Sequence, residues 1–254
     1  MIRWVRRLRQ GISALAAVGS RLLLPPRCAC CDVELPEASG QWFLCADCLA
    51  RLALPAWYGC RRCAGEVSEV GFLPQRCPLC KDISLKFDAA IALGSYHAGL
   101  REVVLRMKRP WHSALAVVMG QLLVRQRQEQ LQEHQTNMVI PIPMFWARRF
   151  GRGINSPDVL AGCLAKSLGI PLRRDLLIRH RNTLPQAHLP PSRRFENVRG
   201  AFRIHRPDTV QDARVLLVDD VLTTGATCSE AAKTLKQAGA ARVVVAVVAR
   251  AQGR

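Results

Sequence analysis

Val215-Leu-Leu-Val-Asp-Asp-Val-Leu-Thr-Thr-Gly-Ala-Thr227 is the stretch around which the rest of the chain falls into order. Four apolar residues, two of them β-branched, predict a strand buried on both faces. Asp219 and Asp220 sit where that strand should end. A short hydroxyl-rich loop follows, Thr223, Thr224, Gly225, Ala226 and Thr227. A helix is then expected from about Cys228 to Gln237, closed by Gly239. In open α/β sheets, ligands bind beyond the carboxyl ends of strands. A loop of small residues running into a helix N-terminus offers free N–H groups and a favourable dipole to phosphate. Adjacent carboxylates accept hydrogen bonds from sugar hydroxyls. The stretch thus reads as a pocket for a sugar phosphate. It is not a Walker A loop, because Gly-Lys-Ser/Thr is missing. An ordinary strand–turn–helix would leave the Thr-Thr-Gly-Ala-Thr run unexplained.

Outward from this motif the pattern stays α/β. Arg242 to Ala249 is a further buried strand, and Met138 to Pro143 a short one running into prolines. Phe87 to Leu93 reads as a strand, Tyr96 to Gly99 as a turn and Leu100 to Met107 as a helix. Ser113 is expected to cap a longer helix whose polar tail, Arg125 to Gln135, is solvated. Ser156 is expected to cap a helix reaching Leu168, with Pro157 at its first position and Gly169 as its stop. Before it, Arg148 to Gly153 forms a basic, Gly-containing loop after a strand, a second candidate anion site. Pro171 to Arg206 holds nine Arg, no Lys and two acids, and includes Arg179, Arg181, Gln186, Arg193, Arg194 and Asn197. Its prolines argue against regular structure across the middle. Arg in place of Lys suits planar, bidentate phosphate contacts; a merely solvated basic surface is the plainer alternative.

The formal charge of +18 over 254 residues favours anionic partners: nucleic acid, phosphorylated metabolites or acidic membranes. Eight of the eleven Cys form four C-x-x-C pairs, Cys28/Cys31, Cys45/Cys48, Cys60/Cys63 and Cys77/Cys80. The second two pairs repeat the first two at an offset of 32 positions. This is a duplicated module. Each C-x-x-C turns as a knuckle, and two knuckles complete a tetrahedral thiolate site for zinc. Sequential pairing and cross-braced pairing are both open. Cys30 is an extra thiol, not expected as a ligand. Such zinc is structural and implies a reducing compartment. Met1 to Arg27 carries six Arg and no acid, with Trp4, Val5, Leu8, Ile12 and Leu15 at helical spacing. Arg9 and Arg21 bracket too short an apolar run for a transmembrane span. A basic amphipathic helix, packed on the protein or touching an anionic surface, fits better than a signal peptide. Trp42, Trp57 and Tyr58 are candidates either to stack on bases or to fill a small core.

The central motif resembles the 5-phosphoribosyl-1-pyrophosphate (PRPP) motif of type I phosphoribosyltransferases. The full order resembles the ComF/GntX family of competence- and DNA-utilisation-associated proteins. That order is four C-x-x-C pairs, Tyr96, Lys108, Pro141-Ile-Pro143, Arg152-Gly-Ile-Asn155, Arg179, Gln186, Arg193, Asn197 and the PRPP motif. The resemblance spans Pro25 to Arg250. It implies an α/β fold, a type I phosphoribosyltransferase-like parallel sheet flanked by helices, with a small N-terminal Cys-rich zinc-ribbon module. The expected organisation is a basic segment over 1–24, the duplicated zinc module over 25–84 and the phosphoribosyltransferase-like domain over 85–254. Where the family usually has Arg-Gly-Phe-Asn-Gln, this chain has Arg152-Gly-Ile-Asn-Ser156, which removes an aromatic and an amide beside the expected pyrophosphate loop. The resemblance further implies a cytoplasmic role in the uptake or use of external DNA. Two readings of the function follow. In one, a DNA-handling protein retains PRPP binding, single-stranded DNA and uptake-machinery proteins being its partners; the basic segment adds a peripheral contact with the inner membrane. In the other, an active phosphoribosyltransferase of nucleotide metabolism acts on an unidentified acceptor. In the transferase reading, Asp219 and Asp220 orient the ribose, Thr223 to Thr227 hold the 5′-phosphate, and magnesium with Arg152 neutralises the departing pyrophosphate; in the other, the same pocket binds PRPP or a nucleotide without turnover.

Overall fold

The structure, a computed structural model, describes residues 25–36, 43–52, 59–67, 77–147 and 155–252. The basic segment over 1–24, Trp42, Trp57, Tyr58 and the basic loop from Arg148 to Gly153, Arg152 included, lie outside the described residues. The chain divides into two compact units, Met1–Ala50 and Arg51–Arg254. Among the described residues no helix is long and apolar enough to cross a membrane.

The duplication read from the Cys spacing is written into the backbone. The bridge Arg27↔Glu34 in the first unit recurs as Gly59↔Glu66 in the second. Asp32 and Ala64, also equivalent in the repeat, both adopt positive φ, 63° and 52°. The Cys28 N–H donates to Val33 O, and the Cys60 N–H to Gly65 O. The first unit adds the start of a short helix, α1 (Ala46–Leu52), which begins just after Cys45.

In the second unit, β1 (Ala89–Ser95), β2 (Met138–Pro141), β5 (Arg214–Leu222) and β6 (Arg242–Arg250) form a parallel sheet in the order β1-β6-β5-β2. Two short strands, β3 (Leu177–Arg179) and β4 (Phe202–Ile204), pair antiparallel beside it. The helices are α2 (Ala98–Met107), α3 (Ser113–Gln126), α4 (Gln128–Glu133), α5 (Ser156–Leu168), α6 (Arg194–Val198) and α7 (Ala226–Gln237). β6 is buried from Val243 to Arg250, as a central parallel strand with both faces covered must be. Alternate strand residues Val215, Leu217, Val243 and Val245 enter one core with Cys228, Ala231 and Leu235 of α7. Cys60, Cys63, Cys77 and Cys80 belong to that same core. The second knuckle pair is thus part of the sheet's packing, a feature that the sequence repeat does not reveal. α3 and α5 pack on each other and on other parts of the sheet.

Several local expectations change. β5 does not stop at Asp219; it runs to Leu222, because β6 continues beside it with Val221 opposite Ala249 and Leu222 opposite Arg250. On its other side pairing ends at Val218, opposite Pro141. Beyond Val218 one edge of β5 is therefore open, and this creates the crevice. Ser156 does not cap α5: Asn155 holds the cap position, and the Ser156 hydroxyl donates to Met107 O (3.0 Å). Ser113 is likewise the first residue of α3, with His112 at the cap position. The tail after Arg125 is not wholly solvated, since it forms α4 and buries Leu131. Within Pro171 to Arg206, β3, α6 and β4 are regular, and the proline-containing middle forms two short 3₁₀ turns.

Candidate functional site

At the carboxyl ends of β2 and β5 lies a cavity of about 550 Å³. Its floor is Asp219 to Cys228, the whole central motif from the acidic pair onward. Tyr96, Leu105 and Lys108 line it from β1 and α2, Ile142 to Met144 from the end of β2, and Asn155 to Pro157 from the start of α5. Arg179, Gln186 and Arg194 line it from the Arg-rich segment.

The loop has the shape that its residues dictate. Gly225 sits at φ 82°, left-handed backbone that glycine adopts without penalty. It directly precedes α7, so the N–H groups of the first turn are presented to the cavity. The Thr224 hydroxyl accepts from the Ala226 N–H at 3.4 Å. A Cβ on Gly225 would come within 2.9 Å of Leu85 Cδ2. The loop therefore rests on the segment that leaves the second knuckle pair.

The two carboxylates differ in surroundings. Asp219 Oδ1 accepts from the Asp220 main-chain N–H (2.8 Å), and its Oδ2 lies 3.7 Å from the Cys228 thiol. Burial, and then the neighbouring charge of Asp220, push Asp219 up to about 7. Burial, and then Asp219, push the Cys228 thiol well above its ordinary value. Asp220 instead reaches Lys108, with Nζ 3.2 Å from Oδ2. Burial opposes the Lys108 charge, but the two carboxylates outweigh it and hold the ammonium above its ordinary value. Lys108 thus faces both acids of the motif. The sequence reading carried Lys108 only as part of a family pattern. The signal for it was a lone Lys at the end of an apolar helix, immediately before Arg-Pro.

The Arg-rich segment forms a roof held by its polar side chains. Gln186 Nε2 donates to Thr227 Oγ1 (3.3 Å) and Arg194 O (3.2 Å), and its Oε1 accepts from Asn197 Nδ2 (3.2 Å). Asn197 also exchanges hydrogen bonds with the Leu184 main chain. Arg181 donates to Asn197 O and Arg199 O, so this arginine is engaged in holding the roof together. Arg179 donates to Thr183 and stacks over Phe202 at 5.6 Å. Arg193 is exposed and does not line the cavity.

The eight paired Cys fall into two groups, Cys28, Cys31, Cys45, Cys48 and Cys60, Cys63, Cys77, Cys80, with sulfurs of each group within 4.8 Å of one another. Pairing is sequential, not cross-braced. A zinc–sulfur bond of about 2.3 Å in a regular tetrahedron sets sulfurs about 3.8 Å apart. The observed separations are 3.6 Å for Cys31–Cys45, 3.4 Å for Cys63–Cys77, 3.9 Å for Cys77–Cys80 and 4.0 Å for Cys60–Cys80. None of these Cys is in a disulfide. Main-chain N–H groups of Cys45, Cys48 and Gly65 point at sulfurs, as in thiolate knuckles. Both donor sets fit a zinc ion, which would supply cross-linking and no open coordination position. Cys30 lies outside both groups.

Fold and site together define a phosphoribosyltransferase-type domain that carries a duplicated four-cysteine module. A family model described as phosphoribosyl transferase domain matches residues 158–254. DNA utilization protein YhgH of Salmonella typhi is 31% identical over 88% of this chain and 96% of its own length. Competence protein F of Haemophilus influenzae is 28% identical over 89% of this chain and 97% of its own. Adenine phosphoribosyltransferase of Treponema pallidum is 38% identical over 34% of this chain and 43% of its own. The chain belongs to the ComF/GntX family, the family of the first two relatives.

Proposed function

We propose that this protein serves DNA uptake or utilisation and that its pocket binds PRPP or a related ribose phosphate together with magnesium. The observation that carries the reading is the placement of Asp219 and Asp220 beside the Thr223–Thr227 loop, in one cavity with Lys108. A bare anion would be served by the N–H groups, the hydroxyls and Lys108, and repelled by the acids. A ribose 5-phosphate uses all of them: sugar hydroxyls donate to the carboxylates, and phosphate accepts from the loop. Magnesium would supply charge neutralisation at the pyrophosphate, and Lys108 lines the same cavity; Arg152 is the further cation proposed from the sequence. The DNA side of the reading draws on the names of the relatives and on the +18 charge, which acts on phosphates common to every sequence. Eight thiols suited to zinc support a reducing compartment, hence the cytoplasm. Uptake-machinery proteins and the inner membrane, through the basic segment over 1–24, are the further partners proposed.

A second reading, an active phosphoribosyltransferase, is favoured by one observation. Tyr96, Leu105 and Met144 are among the residues lining the cavity and offer it the apolar surface that a planar acceptor would use. In that reaction an acceptor nucleophile would bond to the anomeric carbon as the bond to pyrophosphate breaks, pyrophosphate leaving with the electron pair. Positioning and charge stabilisation carry such chemistry. Calorimetric titration with PRPP, with and without magnesium, tests the shared pocket: magnesium-dependent binding supports it and no binding removes it. Pyrophosphate release across nucleobases and DNA separates the readings. Single-stranded DNA titrated at rising salt tests the DNA role; an affinity that ignores salt, or that strongly prefers duplex, overturns it.

A further inference from the structure

We infer that Arg250 couples the second cysteine group to the phosphate loop, so that metal held by Cys60, Cys63, Cys77 and Cys80 sets the order of the ligand pocket. For ligand affinity, this rests on the pocket reading above; for loop order, it stands alone.

Arg250 closes β6, a run that is otherwise apolar from Val243 to Ala249. It is 4% exposed, an unusual state for a guanidinium. Its Nε donates to Cys63 O at 2.8 Å. Its Nη1 donates to Leu222 O at 3.0 Å and also to Thr223 O and Ala251 O. One buried cation therefore joins the main chain of a Cys ligand to the first residue of the phosphate loop. A buried charge that loses a partner incurs its desolvation cost, so the joint resists opening.

Two further contacts run the same way. Leu85 and Phe87, which follow the last ligand Cys80, lie under Gly225, and a Cβ there would meet them at 2.9 and 3.6 Å. The Lys86 N–H donates to Ser229 Oγ (3.0 Å) in the first turn of α7. Arg250 and the 85–87 segment thus connect the knuckle to the loop before it, beneath it and after it. The four sulfurs of this knuckle pair converge inside the sheet's core, where a metal joining them would fix the knuckle in place. Without metal, Cys63 O loses its fixed position, and the loop loses the support that reaches it through Arg250.

The test uses the full chain and reads hydrogen exchange of the Leu222–Thr227 amides without ligand, zinc content, and titration with magnesium and PRPP. Arg250→Gln should keep its zinc, speed exchange of the loop about tenfold with the β6 centre unchanged, and weaken PRPP about tenfold, as for loss of a charge-assisted hydrogen bond. Cys63→Ser should lose one zinc and speed the loop likewise. Cys31→Ser should lose one zinc and leave the loop as in the wild type. The proposal is overturned if loop exchange in Arg250→Gln or Cys63→Ser matches the wild type. It is equally overturned if Cys31→Ser speeds the loop as much as Cys63→Ser does. Should Arg250→Gln not fold, the two Cys variants decide between these outcomes by themselves. If the wild type binds no PRPP, the pocket reading falls while the exchange comparison still decides the coupling.

Discussion

Lys108 Nζ and Asp220 Oδ2 meet at 3.2 Å across the mouth of the cavity, one from the end of α2 and the other from the end of β5. The pair explains how two adjacent acids are tolerated beside the loop proposed to hold phosphate. The ammonium offsets Asp220 and lowers the cost of ionising Asp219. It also lines the cavity, where it can meet an incoming phosphate. Lys108→Gln should therefore weaken magnesium–PRPP and inorganic pyrophosphate alike, by about tenfold for a lost charge-assisted contact. Calorimetry with both ligands checks this, and an unchanged pyrophosphate affinity would remove Lys108 from the binding site.

The raised Asp219 carboxyl makes a pH prediction with a definite sign. Its folded value is about 7, above the ordinary carboxylate range, so the native state holds a proton that the unfolded chain has released. Stability then falls as pH rises from about 4 to about 7, and levels off above. Asp219→Asn removes this ionisation. Its thermal unfolding curve should depend less on pH across that interval than that of the wild type. It should also melt higher than the wild type above about pH 7. Parallel pH profiles for the two proteins would contradict the assignment.

The parallel sheet, the motif and the Cys repeat were legible because each rests on local spacing: apolar runs for buried strands, small residues between strand and helix, paired thiols at a fixed offset. What stayed hidden depends on neighbours distant in sequence. The extension of β5 to Leu222 is set by β6, and the open edge that makes the crevice is set by the early end of β2. Ser156 has the composition of a cap, yet its hydroxyl is drawn to Met107 O, 49 positions away. Arg181 looks like a phosphate ligand in a basic run but is used up on main-chain carbonyls. Arg250 looks like the polar end of a strand and is instead buried.

The Cys groups predict a metal content of two zinc ions per chain. Cys30→Ser should leave that number unchanged, whereas Cys45→Ser should remove one ion and unfold the first unit, Met1–Ala50, while the rest stays soluble. Metal analysis and limited proteolysis read both effects. A Cys30→Ser protein with less zinc would assign that thiol to the first group.

Two substitutions should divide the pocket into its sugar side and its phosphate side. Asp220→Asn replaces one of the two carboxylate oxygens proposed to face the sugar with an NH2 donor, and at the same time releases Lys108 from its ion pair. The freed ammonium is then available to an anion. PRPP affinity should fall while inorganic phosphate affinity holds or rises. Gly225→Val acts on the other side. A β-branched residue at φ 82° is strained, and its Cβ would press on Leu85 at 2.9 Å, beneath the loop. Both ligands should weaken together, and the protein should melt at a lower temperature. The signature is thus a change of opposite or unequal size for the two ligands in Asp220→Asn and a shared loss in Gly225→Val. Calorimetry on the wild type and both variants reads it directly. Equal losses of PRPP and phosphate in Asp220→Asn would mean that Asp220 supports the loop rather than contacting the sugar, and the ribose side of the pocket would have to be sought on Asp219 alone.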